Sequence, residues 1–357
     1  MSKNRKKAMK RNTKKYIFLC FCLILGLLAS CAPKAKEPQA RSYFDWFDTA
    51  STVYSYAEDG EEAFLANCKA VAAVLEDYHR LFDIYYEYSG VNNLCTVNRN
   101  AGKAPVKVDV KLIDFLEYAK ELYTLTGGEL NIAMGSVLLL WHNARTEAND
   151  GGEALLPDPS VLSEAAEHTD ISSLIINREE GTVYISDPQM RIDVGALGKG
   201  YAVERAAEAL YDRGVTGYVL NIGGNVRCIG ERPSVGGWIT GITNPDKESD
   251  EPFACRVTLK NVSCVTSGDY ERFFTVDGKR YHHIIDKDTL MPAEHFSLVT
   301  VITEDSGLAD GLSTALFCMS YEDGLALLSQ IKNAEAMWIT PEGEKYMTSG
   351  FEALLVK

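Results

Sequence analysis

The chain has 357 residues, 46% of them apolar, and 36 Lys and Arg stand against 50 Asp and Glu for a formal charge of −14. Length and apolar content suffice for a large core in one or two domains. An acidic surface of this kind disfavours DNA, RNA and anionic lipid, so a nucleic-acid partner is excluded.

The first fifteen residues carry eight Lys or Arg and no acid, and Tyr16 to Ser30 is almost wholly apolar. Its core, Ile17 to Leu28, is too short to span a bilayer comfortably and suits the hydrophobic region of a secretory signal. Leu28-Ala29-Ser30-Cys31 follows and resembles a bacterial lipobox. We therefore expect residues 1–30 to be a lipoprotein signal peptide, Cys31 to be lipidated, 31–41 to be a polar tether and 42–357 to form one folded domain. An uncleaved anchor helix or a plain signal peptide is the alternative. The expected place is a bacterial cell membrane, lipid-anchored on the extracytoplasmic side. From Cys31 onward 28 basic residues face 50 acidic ones, a formal charge of −22. Cys68, Cys95, Cys228, Cys255, Cys264 and Cys318 show no CxxC spacing and read as small buried residues rather than a disulfide framework.

In chain order, 48–56 reads as a strand and 61–81 as an amphipathic helix. The stretch 85–98 is irregular and rich in Tyr, Ser and Asn. A second helix spans 110–125 and stops at Gly127-Gly128. The acidic 146–159 stretch reads as a surface loop, 161–166 as a short helix, and 174–176 with 182–185 as a hairpin. A helix over 199–211 leads to a strand over 218–222 that Gly223-Gly224 breaks. Strands follow at 238–243, 255–259 and 263–267, and 271–275 with 280–285 forms a hairpin across Asp277-Gly278. A strand at 298–302, helices at 309–319 and 325–331, and a hairpin of 336–339 with 345–347 complete the chain. Helices alternate with antiparallel strands without a βαβ rhythm, which indicates an α+β fold.

Six constellations are candidates to carry chemistry. Gly195, Gly198 and Gly200 open the Lys199 helix, where free N–H groups and a lysine suit phosphate; a tight strand–helix turn with a surface lysine explains them equally. Gly223 and Gly224 permit close approach of a ring or phosphate, or form an ordinary hairpin turn. His282 and His283 lie near Asp286; on an alternating strand they point to opposite faces, so they do not bind a metal jointly, and a single histidine suits proton transfer or a structural hydrogen bond. Asp310 and Thr314 share a helix face at i,i+4 and offer a hard oxygen pair for Mg²⁺, or simply stabilise the helix start. The polar run Thr266 to Arg272 suits an acceptor or a pyrophosphate, and Tyr85, Tyr86 and Tyr88 offer aromatic surface for a ring.

Taken in order, Phe47-Asp48-Thr49, Tyr85 to Ser89, Thr126 to Ile132, Asp193 to Ala202, Asn221 to Asn225, Thr266 to Arg272, His282 to Asp286 and Asp310 to Ala315 resemble the ApbE family of FAD:protein FMN transferases. The resemblance implies an ApbE-like, T-fold-like α+β domain of mixed antiparallel sheets with packed helices. It implies transfer of the FMN moiety of FAD to a Thr or Ser hydroxyl of an exported acceptor, such as a redox-complex subunit, with release of AMP and dependence on Mg²⁺ or Mn²⁺. By the same resemblance Gly198 (through its carbonyl), Asp310 and Thr314 are metal ligands and His283 activates the acceptor hydroxyl. Tyr85, Glu129, Leu130, Asn131, Lys199, Gly223, Gly224 and His283 line the FAD. The chain departs from the family pattern at Glu129 and Asn131, where Ala and Asp are common, and at Gly198, where Ala is frequent. It departs again at Glu204 (for Asp), Lys287 (for Pro) and Leu290 (for Gly). Hydrolysis of FAD to FMN and AMP, or non-catalytic FAD binding by a lipoprotein, are the competing functions.

Overall fold

The computed structural model describes residues 38–233 and 236–356. The expected signal peptide, Cys31 and most of the tether lie outside the described residues. The central element is an antiparallel sheet of eight strands. Its order is β1 (Gln39–Tyr43), β2 (Ser51–Ser55), β6 (Tyr218–Ile222), β7 (Asn225–Ile229), β10 (Ser263–Gly268), β13 (Leu298–Thr303), β14 (Glu335–Ile339) and β15 (Lys345–Met347). Three small antiparallel sheets accompany it: β3 (Val106–Lys107), β5 (Thr182–Ile185) and β4 (Leu174–Asn177) in that order; β8 (Trp238–Thr243) with β9 (Phe253–Leu259); and the hairpin β11 (Phe273–Val276) with β12 (Lys279–His282). The helices are α1 (Glu61–Phe82), α2 (Leu94–Arg99), α3 (Val110–Leu125), α4 (Gly135–Asn149), α5 (Pro159–Ala166), α6 (Gly198–Tyr211), α7 (Ser306–Cys318), α8 (Tyr321–Leu328) and α9 (Ser349–Ala353).

Strand β13 shows why the layers form. All six of its residues, Leu-Val-Thr-Val-Ile-Thr, are buried, because both faces of the sheet are covered there. Val299 and Val301 pack with Leu312, Leu316 and Phe317 of α7. Leu298 and Ile302 point the other way, among Trp238, Val257 and Leu259 of the β8–β9 pair. A third core joins α1, α3 and α6 through an aromatic group: Phe82 and Phe115 have ring centroids 4.1 Å apart, and Phe115 and Tyr201 5.1 Å. Trp141, Phe274 and Leu162 anchor a fourth, which seats α4 and α5 against the β11–β12 hairpin.

Most expected elements are present, with informative differences. Gly135–Asn149 is a helix for which the sequence gives no clean stripe, since only Gly135, Val137 and Trp141 are buried and Met134 caps it without a side-chain bond. Thr146 to Asn149 is therefore its last turn rather than the start of a surface loop. The irregular stretch before Asn98 contains α2, which Asn93 caps by accepting from the Thr96 N–H at 3.1 Å. Extended chain begins at Ser51 rather than Asp48, because Phe47 and Asp48 adopt φ of 54° and 50°. Gly223 and Gly224, at φ 55° and 88°, form a tight turn straight into β7. Strand β1 starts at Gln39 and pairs with β2, so regular pairing begins three residues before position 42. The six described cysteines are free, and all but Cys255 are buried.

Helices α6 and α7 cross at Gly200. A Cβ there would lie 2.2 Å from the Ser306 carbonyl oxygen and 2.4 Å from the Asp310 Cβ. Gly200→Ala must push the two backbones apart; we expect about 1–3 kcal/mol lost in stability, measured by urea unfolding. Wild-type stability would show that the crossing is not tight.

Candidate active site

The α6–α7 crossing sets Asp310 against the start of α6, the helix that Gly198 opens. Gly200 N–H donates to Asp310 Oδ2 at 2.8 Å, so one carboxylate oxygen is fixed by the backbone of the opposite helix. Asp310 is only 4% exposed, and its other oxygen faces the Lys199 ammonium at 3.7 Å. The capping role belongs to Asp305, whose carboxylate accepts from the Leu308 N–H at 2.6 Å. Thr314 lies one turn beyond Asp310, and its hydroxyl is 3.4 Å from Ser267 Oγ at the end of β10. Gly198 opens α6 over the Phe82 ring, where an added Cβ would meet Phe82 at 3.1 Å. The Phe82 ring thus gives a local reason for Gly rather than Ala.

These residues fit a hard divalent cation. The side-chain donors are one carboxylate and hydroxyls, and oxygen is what Mg²⁺ prefers, with the Lys199 ammonium the competitor for the second Asp310 oxygen. The described residues contain no group of three or more His, Cys, Asp or Glu suited to a metal. A cation here would need ligand oxygens beyond the protein's own, as a phosphate provides.

Strand β12 ends at His282, and His283 lies just past it, so strand alternation does not set its direction. His283 Nδ1 is buried with no hydrogen-bond partner among the described residues. Burial first, then Arg272 and Arg145, push its imidazole down to about 3. The ring is therefore neutral near neutral pH and only weakly basic until an anion beside it offsets the arginines.

Arg145 was not singled out by the sequence, and Arg272 only as the end of the polar run Thr266 to Arg272. Arg145 lies on α4, one turn from His142, with Nη2 3.3 Å from His142 Nδ1. Tyr85 completes this wall, its hydroxyl 3.4 Å from the same nitrogen and its ring centroid 5.3 Å from the imidazole's. Burial and then Arg272 hold the Arg145 guanidinium below its ordinary value. The half-buried Arg145 and the exposed Arg272, close enough to interact, favour an anion between them. Asp193 faces the same group; burial raises its carboxyl, with Gly195 N–H, His142 and the arginines opposing. A cavity of about 230 Å³ next to Tyr85, His142 and Asp193 extends toward Arg191. The missed signal was the helical register of α4, which places His142 and Arg145 on one face.

The remaining expected FAD contacts divide. Leu130 is buried, packed where Gly311 of α7 leaves room. The Asn131 side chain is committed to backbone, donating to Thr169 O and accepting from Ala133 N–H, both at 2.9 Å. The Gly223-Gly224 conformation is accounted for by the β6–β7 turn; Asn221 Oδ1 accepts from Gly224 N–H at 3.2 Å, and a Cβ at Gly223 would strike Thr49. Of these two glycines, Gly224 faces open space.

Three departures from the family pattern meet in one region. Glu129 and Lys287 form an ion pair at 3.2 Å that ties the loop after α3 to the turn after His283. In that turn Leu290 holds φ +59°, a conformation suited to the glycine that the family pattern has there. Its apolar side chain packs near Trp141, and its carbonyl accepts from Trp141 Nε1–H at 2.9 Å.

Burial raises the Glu129 carboxyl above its ordinary 4.5, with Lys287 pulling it back. A raised folded value means that the ionised form costs stability. That cost is absent below the unfolded value and appears as pH rises through the folded one. Lys287→Met should therefore cost about 0.5–1 kcal/mol near pH 7 and little near pH 4, compared by calorimetry at both. Equal losses at the two pH values would remove Glu129 as the cause.

Known proteins share the sequence pattern and the fold of this chain. Residues 47–338 match the model of the ApbE family. The chain is 33% identical to the FAD:protein FMN transferase of Treponema pallidum over 344 residues, covering 92% of each chain. It is 30% identical to one from Klebsiella pneumoniae over 71% of this chain and 76% of that one. The crystal structure of an ApbE protein from Thermotoga maritima superposes with a TM-score of 0.77 at 27% identity, covering 90% of this chain and all of that one. The flavin transferase ApbE of Vibrio cholerae shares the fold, with a TM-score of 0.73 at 23% identity over 89% of this chain and all of that one. With the family model spanning most of the described residues, the chain belongs to the ApbE family.

Proposed function

We propose that this protein is an FAD:protein FMN transferase that moves the FMN moiety of FAD onto a Thr or Ser hydroxyl of an exported acceptor and releases AMP. The names of the Treponema and Klebsiella relatives support the activity. The observation that carries the chemistry is His283: a neutral imidazole with an unpartnered buried nitrogen, facing Arg272, Arg145 and Lys199.

His283 takes the proton of the acceptor hydroxyl as its oxygen attacks the FMN phosphorus. The bond from that phosphorus to the bridging oxygen breaks, and the oxygen leaves with its electron pair as part of AMP. Lys199, Arg145 and Arg272 offset the pyrophosphate charge in a strongly acidic protein. Tyr85 offers an aromatic face to a ring of FAD. Asp310, Thr314 and the Gly198 carbonyl would hold Mg²⁺, or Mn²⁺, which neutralises pyrophosphate and stabilises charge at phosphorus. Asp310→Ala should lower FMN transfer at least ~100-fold. The readout is the intact mass of an acceptor domain incubated with FAD and Mg²⁺. Free FMN and AMP without an adduct would instead favour hydrolysis, and unconsumed bound FAD a binding protein.

We infer from Leu28 to Cys31 that the enzyme is lipid-anchored outside the cytoplasm, where its acceptor would be a membrane-bound or exported redox subunit. Cys31→Ser should move the protein from the membrane to the soluble fraction on cell fractionation. Retention of the variant in the membrane would count against a lipid anchor at Cys31.

A further inference from the structure

We infer that His282, which takes no part in the chemistry above, is the residue that positions His283. The inference rests on His283 being the base of the proposed reaction. His282 is 9% exposed, at the end of β12. Its Nδ1 lies 3.2 Å from the Ile284 backbone nitrogen, whose N–H donates to it. That nitrogen must therefore be unprotonated, which leaves the proton on Nε2, 2.9 Å from the Ala293 carbonyl oxygen that accepts it. Ala293 N–H in turn donates to Ile284 O at 3.0 Å. One imidazole thus grips both strands of the loop, and Ile284 is held at its N–H and at its carbonyl.

His283 lies between these fixed points. On its N-terminal side His282 is registered against Phe273 in the hairpin. On its C-terminal side the Ile284 N–H is tied back to the His282 ring. The ring also stands edge-on to Phe317 of α7, with centroids 5.6 Å apart at 77°. Phe317 is three residues beyond Thr314. The same side chain therefore links the turn that carries the base to the helix that carries Asp310 and Thr314. Displacement of a reacting group by about 1 Å can cost as much as ~100-fold in rate. The grip on the Ile284 N–H is the decisive contact, because it sets the backbone next to His283.

The test uses the full-length protein, FAD, Mg²⁺ and an acceptor domain with a Thr hydroxyl, with AMP release as the readout. His282→Phe keeps a ring against Phe317 but loses both hydrogen bonds. His282→Asn restores an acceptor two residues before Ile284, the geometry of an Asx turn. We expect His282→Phe to lower kcat by ~10–100-fold with KM for FAD within about threefold, and His282→Asn to recover kcat to within about fivefold of wild type. Wild-type kcat in His282→Phe, or an effect confined to KM, overturns the inference. If His282→Phe does not fold, His282→Asn decides: near-normal kcat supports the inference, and a folded but inactive protein overturns it. An activity-independent arm is the imidazole ¹⁵N spectrum. His283 resonances should shift or broaden in His282→Phe and stay in place in His282→Asn; unchanged resonances in His282→Phe overturn the inference. An inert wild type would instead refute the transferase reading, and the spectrum would still test the positioning role.

Discussion

The close crossing of α6 and α7 is the constraint on which the site depends. No side chain larger than hydrogen fits at Gly200, because the Ser306 carbonyl and the Asp310 Cβ occupy the space. The crossing lets a backbone N–H of one helix reach a carboxylate of the other, fixing one oxygen of Asp310 and leaving the second beside Lys199. A buried ion pair reinforces it from behind. Glu204 of α6 accepts from Arg227 of β7 at 2.9 and 3.0 Å and from the Ser306 N–H at 2.7 Å. A buried charge pair adds little net stability unless its hydrogen bonds are complete. Here Arg227 also donates to the Cys228 carbonyl at 2.7 Å. Its effect is geometric: α6, β7 and the first turn of α7 cannot slide independently.

Electrostatics divides the molecule. The chain is acidic overall, yet Lys199, Arg145 and Arg272 are all near enough to His283 to lower its proton affinity. A polyanionic substrate would be repelled by the average surface and drawn to this one region. Burial first, and then the same cations that would attract a pyrophosphate, keep the neighbouring histidine neutral and weakly basic. Phosphate charge entering the site would oppose that effect and raise the basicity of His283 as the substrate binds.

Much of the fold was legible in the sequence, because apolar periodicity and turn residues agreed with the final packing. Helices 61–81 and 110–125 and the strand 218–222 have one strongly apolar face and clear stops, and they recur almost unchanged. Helix α4 was not legible: Val137 to Trp141 is a continuous apolar run, and its partners, Phe274 and Leu162, are distant in sequence. The same gap hid His142 and Arg145, whose meaning depends on α4 being helical. Asp310 and Thr314 were legible from their spacing, but Ser267 beside Thr314 was not, since that pairing arises only when β10 lies under α7. Glu129 and Lys287 stood out separately as departures from a pattern; only the fold shows that they compensate each other.

The site thus draws its side chains from several elements: Tyr85 after α1, Arg145 from α4, Lys199 from α6, Arg272 and His283 from either side of the β11–β12 hairpin, and Asp310 and Thr314 from α7. No single element orients the reaction, so geometry is carried by the contacts between elements. These contacts are polar: Gly200 to Asp310, Glu204 to Ser306 and Glu129 to Lys287 join distant elements, and His282 to Ile284 holds the turn itself. Polar contacts of this kind are directional, whereas the apolar cores beneath them tolerate small repacking. Losing a core methylene should then lower stability while leaving turnover per folded molecule nearly intact. Losing a directional contact should do the reverse, because it changes where a reacting group points more than how well the chain is held together.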